Sequence, residues 1–139
     1  MRKAFGELRD KRRNTKNTNA HGKRILVYCE AWPRPRISSP PWVAELVEIA
    51  GGRMVVRPGA RISDADVARA RPDVIVIAWA ATGTRGRAGT ALSNPAWQDV
   101  PAVRNHRVYV VRDAILNTPG PPLVEGAREL FRILHSENT

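Results

Sequence analysis

Cysteine is nearly absent from this chain: Cys29 is the single one in 139 residues, and no Cys/His cluster has zinc spacing. An internal disulfide is therefore excluded, and a structural metal has no ligand set to hold it. No run reaches the roughly 18–20 apolar residues of a membrane span, and Met1 to Gly22 lacks an apolar stretch fit to be a signal-peptide core. As written, the sequence is expected in the cytosol. Lysine stops early too. Residues 25–139 carry fourteen basic residues, all arginine, against eleven acids, whereas residues 1–24 hold nine Lys/Arg against two acids. What is present suffices for one domain: the length fits about 100–200 residues per domain, with 42% hydrophobic residues to build a core.

The segment from Lys11 to Arg24 is polar, with Asn, Thr and Gly where apolar periodicity would be needed, and it cannot bury enough surface to offset its ordering entropy. We read residues 1–23 as a basic leader; residues 4–13 also suit the last piece of a helix whose earlier part is missing from this chain. Such a tail binds nucleic acid or an anionic surface weakly, by counterion release. With Phe5 its one aromatic residue between Lys3 and Lys23, base stacking is not supported.

From residue 24 onward short β-branched runs alternate with helical patterns, which predicts an α/β fold of βαβ units around a mostly parallel sheet. Residues 24–30 read as a first strand. Residues 40–52 read as a helix with Trp42, Leu46 and Ile49 on one face, entered at Pro40–Pro41 and ended by Gly51–Gly52. Residues 53–58 form a short strand in this reading. Residues 63–71 form a helix with Ser63 as N-cap, acids in its first turn and arginines at its end. Residues 72–79 read as a central strand, apolar on both faces. A long glycine-bearing loop through Gly83, Gly86 and Gly89 leads to a short helix near Pro95 to Asp99, a strand over 106–111 and an amphipathic helix over 121–135, with Leu123, Ala127, Leu130 and Leu134 inward.

Catalytic chemistry finds little support. His21, His106 and His135 lie in the tail, at a strand start and at a helix end, and nothing brackets any of them as base or ligand. Cys29, inside a strand, reads as a small buried hydrophobe. The loop over 83–89 follows a strand as phosphate loops do, yet lacks the Gly-Lys-Ser/Thr ending, so a small nucleotide-binding enzyme rests on glycine alone. The tryptophans say more. Trp32 follows the first strand, with residues 33–36 as a rigid Pro-rich turn behind it, and Trp79 ends the central strand, at the carboxyl edge where open α/β sheets bind ligands; large rigid aromatics there suit a bulky, flat molecule. Trp42 and Trp97 read as core caps. The Pro-rich residues 116–122 would form a stiff rim on the same edge.

The strings Cys29 to Pro35, Pro40 to Gly52, Ser63 to Trp79, Asn94 to Val111 and Thr118 to His135 together resemble the C-terminal lobe of the iron-siderophore and cobalamin substrate-binding proteins of ABC importers, most of all members described as cobalamin-binding. The likeness covers about residues 24–137. It implies a three-layer αβα, Rossmann-like lobe, one half of a class III substrate-binding fold that pairs with an N-terminal lobe through a long helix. Residues 1–23 then read as the stump of that helix plus a leader. The implied activity is capture and delivery, with no covalent chemistry and no bound metal or cofactor; cobalamin or a related corrinoid or siderophore is cargo. By motif position Glu30, Trp32 and Pro35 fall in the family's first ligand loop, Trp79 borders the cleft, and Asn117, Pro119 and Gly120 lie in the last cleft loop. The family docks on permease arginines through a carboxylate in a Ser-x-Glu-Glu pattern. That position falls on Ala65 here, which leaves Asp64 or Asp66 to take the role. Expected partners are the ligand, an ABC permease, and a separate N-terminal lobe or a second copy of the chain; the alternative is a cytosolic nucleic-acid or anionic-surface binder using the tail.

Overall fold

A computed structural model describes residues 24–33, 35–78, 88–111 and 122–135. Strand β1, Ile25–Pro33, is the spine of the sheet. Its alternate residues Ile25, Val27 and Cys29 enter one core cluster, whereas Tyr28 enters another on the opposite face. Strand β2, Arg36–Ser38, folds back antiparallel on its carboxyl half. The sequence reading made a rigid turn of this Pro-rich stretch; the turn is there at Pro35, but it closes a hairpin.

Helix α1, Pro41–Ile49, is entered through Pro40 and Pro41, where the missing amide hydrogens cost nothing. Its buried face is Val43, Leu46, Val47 and Ala50, with Trp42 and Ile49 only partly buried beside it. The stripe is rotated from the predicted one because the smaller β-branched residues fit closest to the sheet. Gly51 and Gly52 then do different jobs. Gly51 turns the chain with a φ of 105°, while a β-carbon on Gly52 would sit 3.0 Å from both Val27 Cγ2 and Leu134 Cδ1. Strand β3, Gly52–Met54, pairs parallel to the amino half of β1, on the side that β2 takes farther along.

Helix α2, Asp64–Ala70, has the predicted Ser63 N-cap, which Asp66 completes as a capping box: Asp66 N–H donates to Ser63 Oγ and Ser63 N–H to Asp66 Oδ2, each at 3.0 Å. It ends on Arg71 in the left-handed region, φ 49°, and Pro72 prevents continuation. Strand β4, Val74–Ile77, is buried on both faces and pairs parallel to β1 on one side and to β5, Val108–Val110, on the other. Between them lie α3, Ala88–Leu92, a 3-10 turn at Pro95–Trp97 and α4, Pro101–Arg104. The sequence reading anticipated the turn near Pro95; α3 and α4 are single turns too short to show periodicity, and Gly89, read as loop, lies in α3.

Helix α5, Pro122–His135, closes the chain with Ala127, Leu130, Ile133 and Leu134 buried. It packs with α1 over the face of Val27 and Val76, while α2, the 3-10 turn and α4 cover the face of Tyr28 and Ile75. The result is three layers, helices on both faces of a mostly parallel sheet, as predicted.

Candidate functional site

The carboxyl ends of β1, β4 and β5 lie side by side, with Glu30, Ile77 and Val110 in register across three strands. Two strand spacings make that rung about 10 Å wide. Among the described residues the exposed large hydrophobics are Trp32, 39% exposed, and Val110, 37%, and both stand at this edge. Two large apolar groups left in water at one end of the sheet are more telling than the same residues scattered over the surface.

Trp32 owes its exposure to an irregularity. Glu30 pairs with Ser38 but Trp32 pairs with Ile37, so β1 spends one more residue than β2 between these rungs. Without that bulge, strict alternation would send residue 32 the way of Tyr28 and Glu30, which are buried. Pro35 is exposed at the hairpin tip. Trp79, Asn117, Pro119 and Gly120 lie outside the described residues.

Glu30 is close to fully buried, and its carboxylate is held within the protein. The Tyr28 hydroxyl donates to Glu30 Oε1 at 2.9 Å, and the Arg36 guanidinium forms an ion pair with the same oxygen. Arg36 also reaches away from the edge: its Nε donates to Asp64 Oδ1 at 2.8 Å, at the start of α2. The guanidinium lies over the Trp97 ring, 4.5 Å from the centroid, and Tyr28 meets that ring edge-on at 6.2 Å. Trp97, buried as anticipated, donates from Nε1 to the Asp64 carbonyl at 3.0 Å, and Asn94 Nδ2 donates to Asp64 Oδ2 at 3.3 Å.

Electrostatics follow from this packing. Burial raises the Tyr28 hydroxyl far above the ordinary tyrosine range, and the Glu30 charge adds to it, so the group is a fixed donor. Burial works against the charge on Arg36, but Glu30 and then Asp64 outweigh it, and its pKa ends above the usual value. Burial also pushes the Cys29 thiol up to about 12, as befits a core residue. Of the two acids suggested for docking, Asp64 is thus bonded to Arg36 and Asn94. Asp66 is held below the usual carboxylate range first by the Ser63 amide, then by the Ser63 hydroxyl and Arg69.

Arg36 escaped the sequence reading, where it counted as part of a Pro-rich turn. A signal existed: an acid at an inward position of an apolar strand requires a buried cation, and Arg36 is six residues from Glu30. Nothing local pointed to Asp64, 28 residues farther on.

A family profile for periplasmic binding proteins matches residues 5–115. YvrC of Bacillus subtilis strain 168, an ABC transporter substrate-binding lipoprotein, is 29% identical over 77 residues, 55% of this chain and 23% of its own. Among solved structures, the periplasmic heme-binding protein RhuT of Roseiflexus sp. RS-1 superposes with a TM-score of 0.76 at 21% identity, covering 96% of this chain and 52% of its own. The periplasmic vitamin B12 binding protein BtuF of Vibrio cholerae gives 0.69 at 20% identity, over 96% and 50%. The chain thus spans about half of these structures and less of the curated relative. Among the described residues no helix is long and apolar enough to cross a membrane.

Proposed function

Because the chain belongs to the periplasmic binding protein family, non-catalytic substrate-binding proteins of ABC transporters, we propose that its carboxyl edge is one half of a capture site for cobalamin or a close corrinoid. The observation that carries this reading is Trp32, which the bulge in β1 leaves exposed near the end of that strand, two residues past the Glu30–Ile77–Val110 rung whose far member, Val110, is exposed as well. A flat macrocycle laid on that shelf removes apolar surface of both side chains from water, and the rigid indole loses little entropy in the contact. The likeness of residues 29–35, 40–52, 63–79, 94–111 and 118–135 to cobalamin-binding members supports a corrinoid over heme or a siderophore. Trp79, Asn117, Pro119 and Gly120 are assigned to the same rim on that likeness, and Pro35 to its tip.

Residues 24–137 then act as the C-terminal lobe, and the other half of the cleft comes from an N-terminal lobe or a second copy. Delivery is to an ABC permease, with the first turn of α2, Asp64 and Asp66, as the docking face. The working protein is assigned outside the cytoplasm with its family.

The test is equilibrium dialysis of the chain against cyanocobalamin, hemin and a ferric hydroxamate in parallel. The expected result is retention of cyanocobalamin in preference to the other two. Retention of hemin alone overturns the corrinoid assignment, and retention of none overturns capture by this edge.

A further inference from the structure

The side chain of Arg36 stands between two acids in different parts of the fold, Glu30, buried beneath the carboxyl edge, and Asp64, at the start of α2 in the turn proposed for docking. We propose that Arg36 couples them, so that a change at Glu30 is felt at Asp64 and what engages Asp64 is felt at Glu30. The functional value of this coupling rests on the capture-and-docking reading; the coupling itself does not.

The geometry gives the reason. A guanidinium is planar and presents its donors in a fixed fork, so the Nε donated to Asp64 and the terminal nitrogen donated to Glu30 cannot be re-aimed separately. Trp97 covers one face of that plane at 4.5 Å, and the side chain is only 17% exposed, so rotation away from the pair has no open path into water. Both acids are fixed from behind as well. Tyr28 donates to Glu30, Asn94 donates to Asp64, and Trp97 donates to the Asp64 carbonyl. The backbone adds a second tie, since the Arg36 carbonyl accepts from Ile62 N–H at 2.8 Å, just before the Ser63 cap of α2. A change in the charge or position of the buried Glu30 carboxylate therefore shifts the guanidinium and its hold on Asp64. In the reverse direction, a cationic partner reaching Asp64 has to share it with Arg36. Linkage makes the two effects equal in size.

The reporter is the Asn94 side-chain amide, one hydrogen bond beyond Asp64, observed in a proton–nitrogen correlation spectrum and assigned by its disappearance in Asn94→Asp. Glu30→Gln is expected to move the Asn94 resonances in the wild-type background, and the movement is expected to fall by more than half in Arg36→Met. Should Arg36→Met lose its fold by circular dichroism, Arg36→Lys keeps the charge without the fork and supplies the same comparison. An Asn94 signal that ignores Glu30→Gln, or moves equally with and without Arg36, overturns the coupling. No ligand is needed, so a failure of the dialysis experiment leaves this result readable, and the converse holds.

Discussion

Replacing Trp32 by alanine probes the capture reading most directly, and its size can be worked out beforehand. A tryptophan side chain presents up to ~250 Å². At 39% exposure roughly 100 Å² of Trp32 is open to a ligand. At about 25 cal/mol per Å², covering all of it contributes about 2.5 kcal/mol, and covering one face of the indole about half that. Trp32→Ala should therefore weaken cyanocobalamin binding by about 8- to 70-fold. Trp32→Phe should fall between alanine and wild type. The fold should be unaffected, because the pairing of residue 32 with Ile37 is a backbone matter and the ring makes no part of either buried cluster. The assay is equilibrium dialysis read by the ligand's visible absorption, which keeps tryptophan out of the detection. An affinity unchanged within a factor of two, in a variant with wild-type melting, refutes the role given to this edge.

Gly52→Ala should destabilise the protein by about 1–2 kcal/mol, since overpacking against the buried Val27 and Leu134 outweighs the few tenths to 1 kcal/mol gained from a stiffer unfolded chain; urea denaturation at or above the wild-type midpoint contradicts this. Ser63→Ala should cost about 1 kcal/mol through the lost α2 cap, read in the same assay. Asp66 has a lowered folded pKa, so its contribution is complete above the ordinary carboxylate value of about 3.9 and fades as pH falls through the folded value. Asp66→Asn should accordingly flatten the acid limb of a stability–pH curve, and an unchanged limb counts against the capping box. Cys29, fully buried with its thiol at about 12, should react with a disulfide reagent at pH 8 only as fast as the protein opens; immediate labelling of the folded protein contradicts its place in the core.

Much of the fold was legible because its signals are local. The run Val74–Ile77 is apolar at every position and became the doubly buried β4, and the Ser63 N-cap is present, with Asp66 of the acidic first turn returning a bond to the Ser63 amide. The exposure of Trp32 at a carboxyl edge was anticipated, although Trp32 lies inside β1, which runs on to Pro33, and not after a strand ending at Glu30. What remained hidden depends on pairing at a distance. The bulge at Ala31 exists only relative to β2, and β2 itself was masked by prolines that read as a turn. The burial of Glu30 could not be read from its position in the family's ligand loop, because it is set by Arg36 and Tyr28 closing over it. The rotated stripe on α1 reflects the fit of Val43 and Val47 against the sheet, a matter of volume that periodicity does not record.

The long strand β1 lends one side of its ladder to two short partners, β3 running with it and β2 running against it, each of three residues. An outer margin broken in this way, with opposite polarity in its two pieces, offers an incoming strand no continuous row of amides and carbonyls to copy. Even the β2 piece is covered, because Arg36 and Ser38 bond to Ile62 and Ala60 on the approach to α2. The same hairpin that holds an aromatic side chain out in water thus keeps neighbouring molecules from zipping onto this margin of the sheet during synthesis and storage.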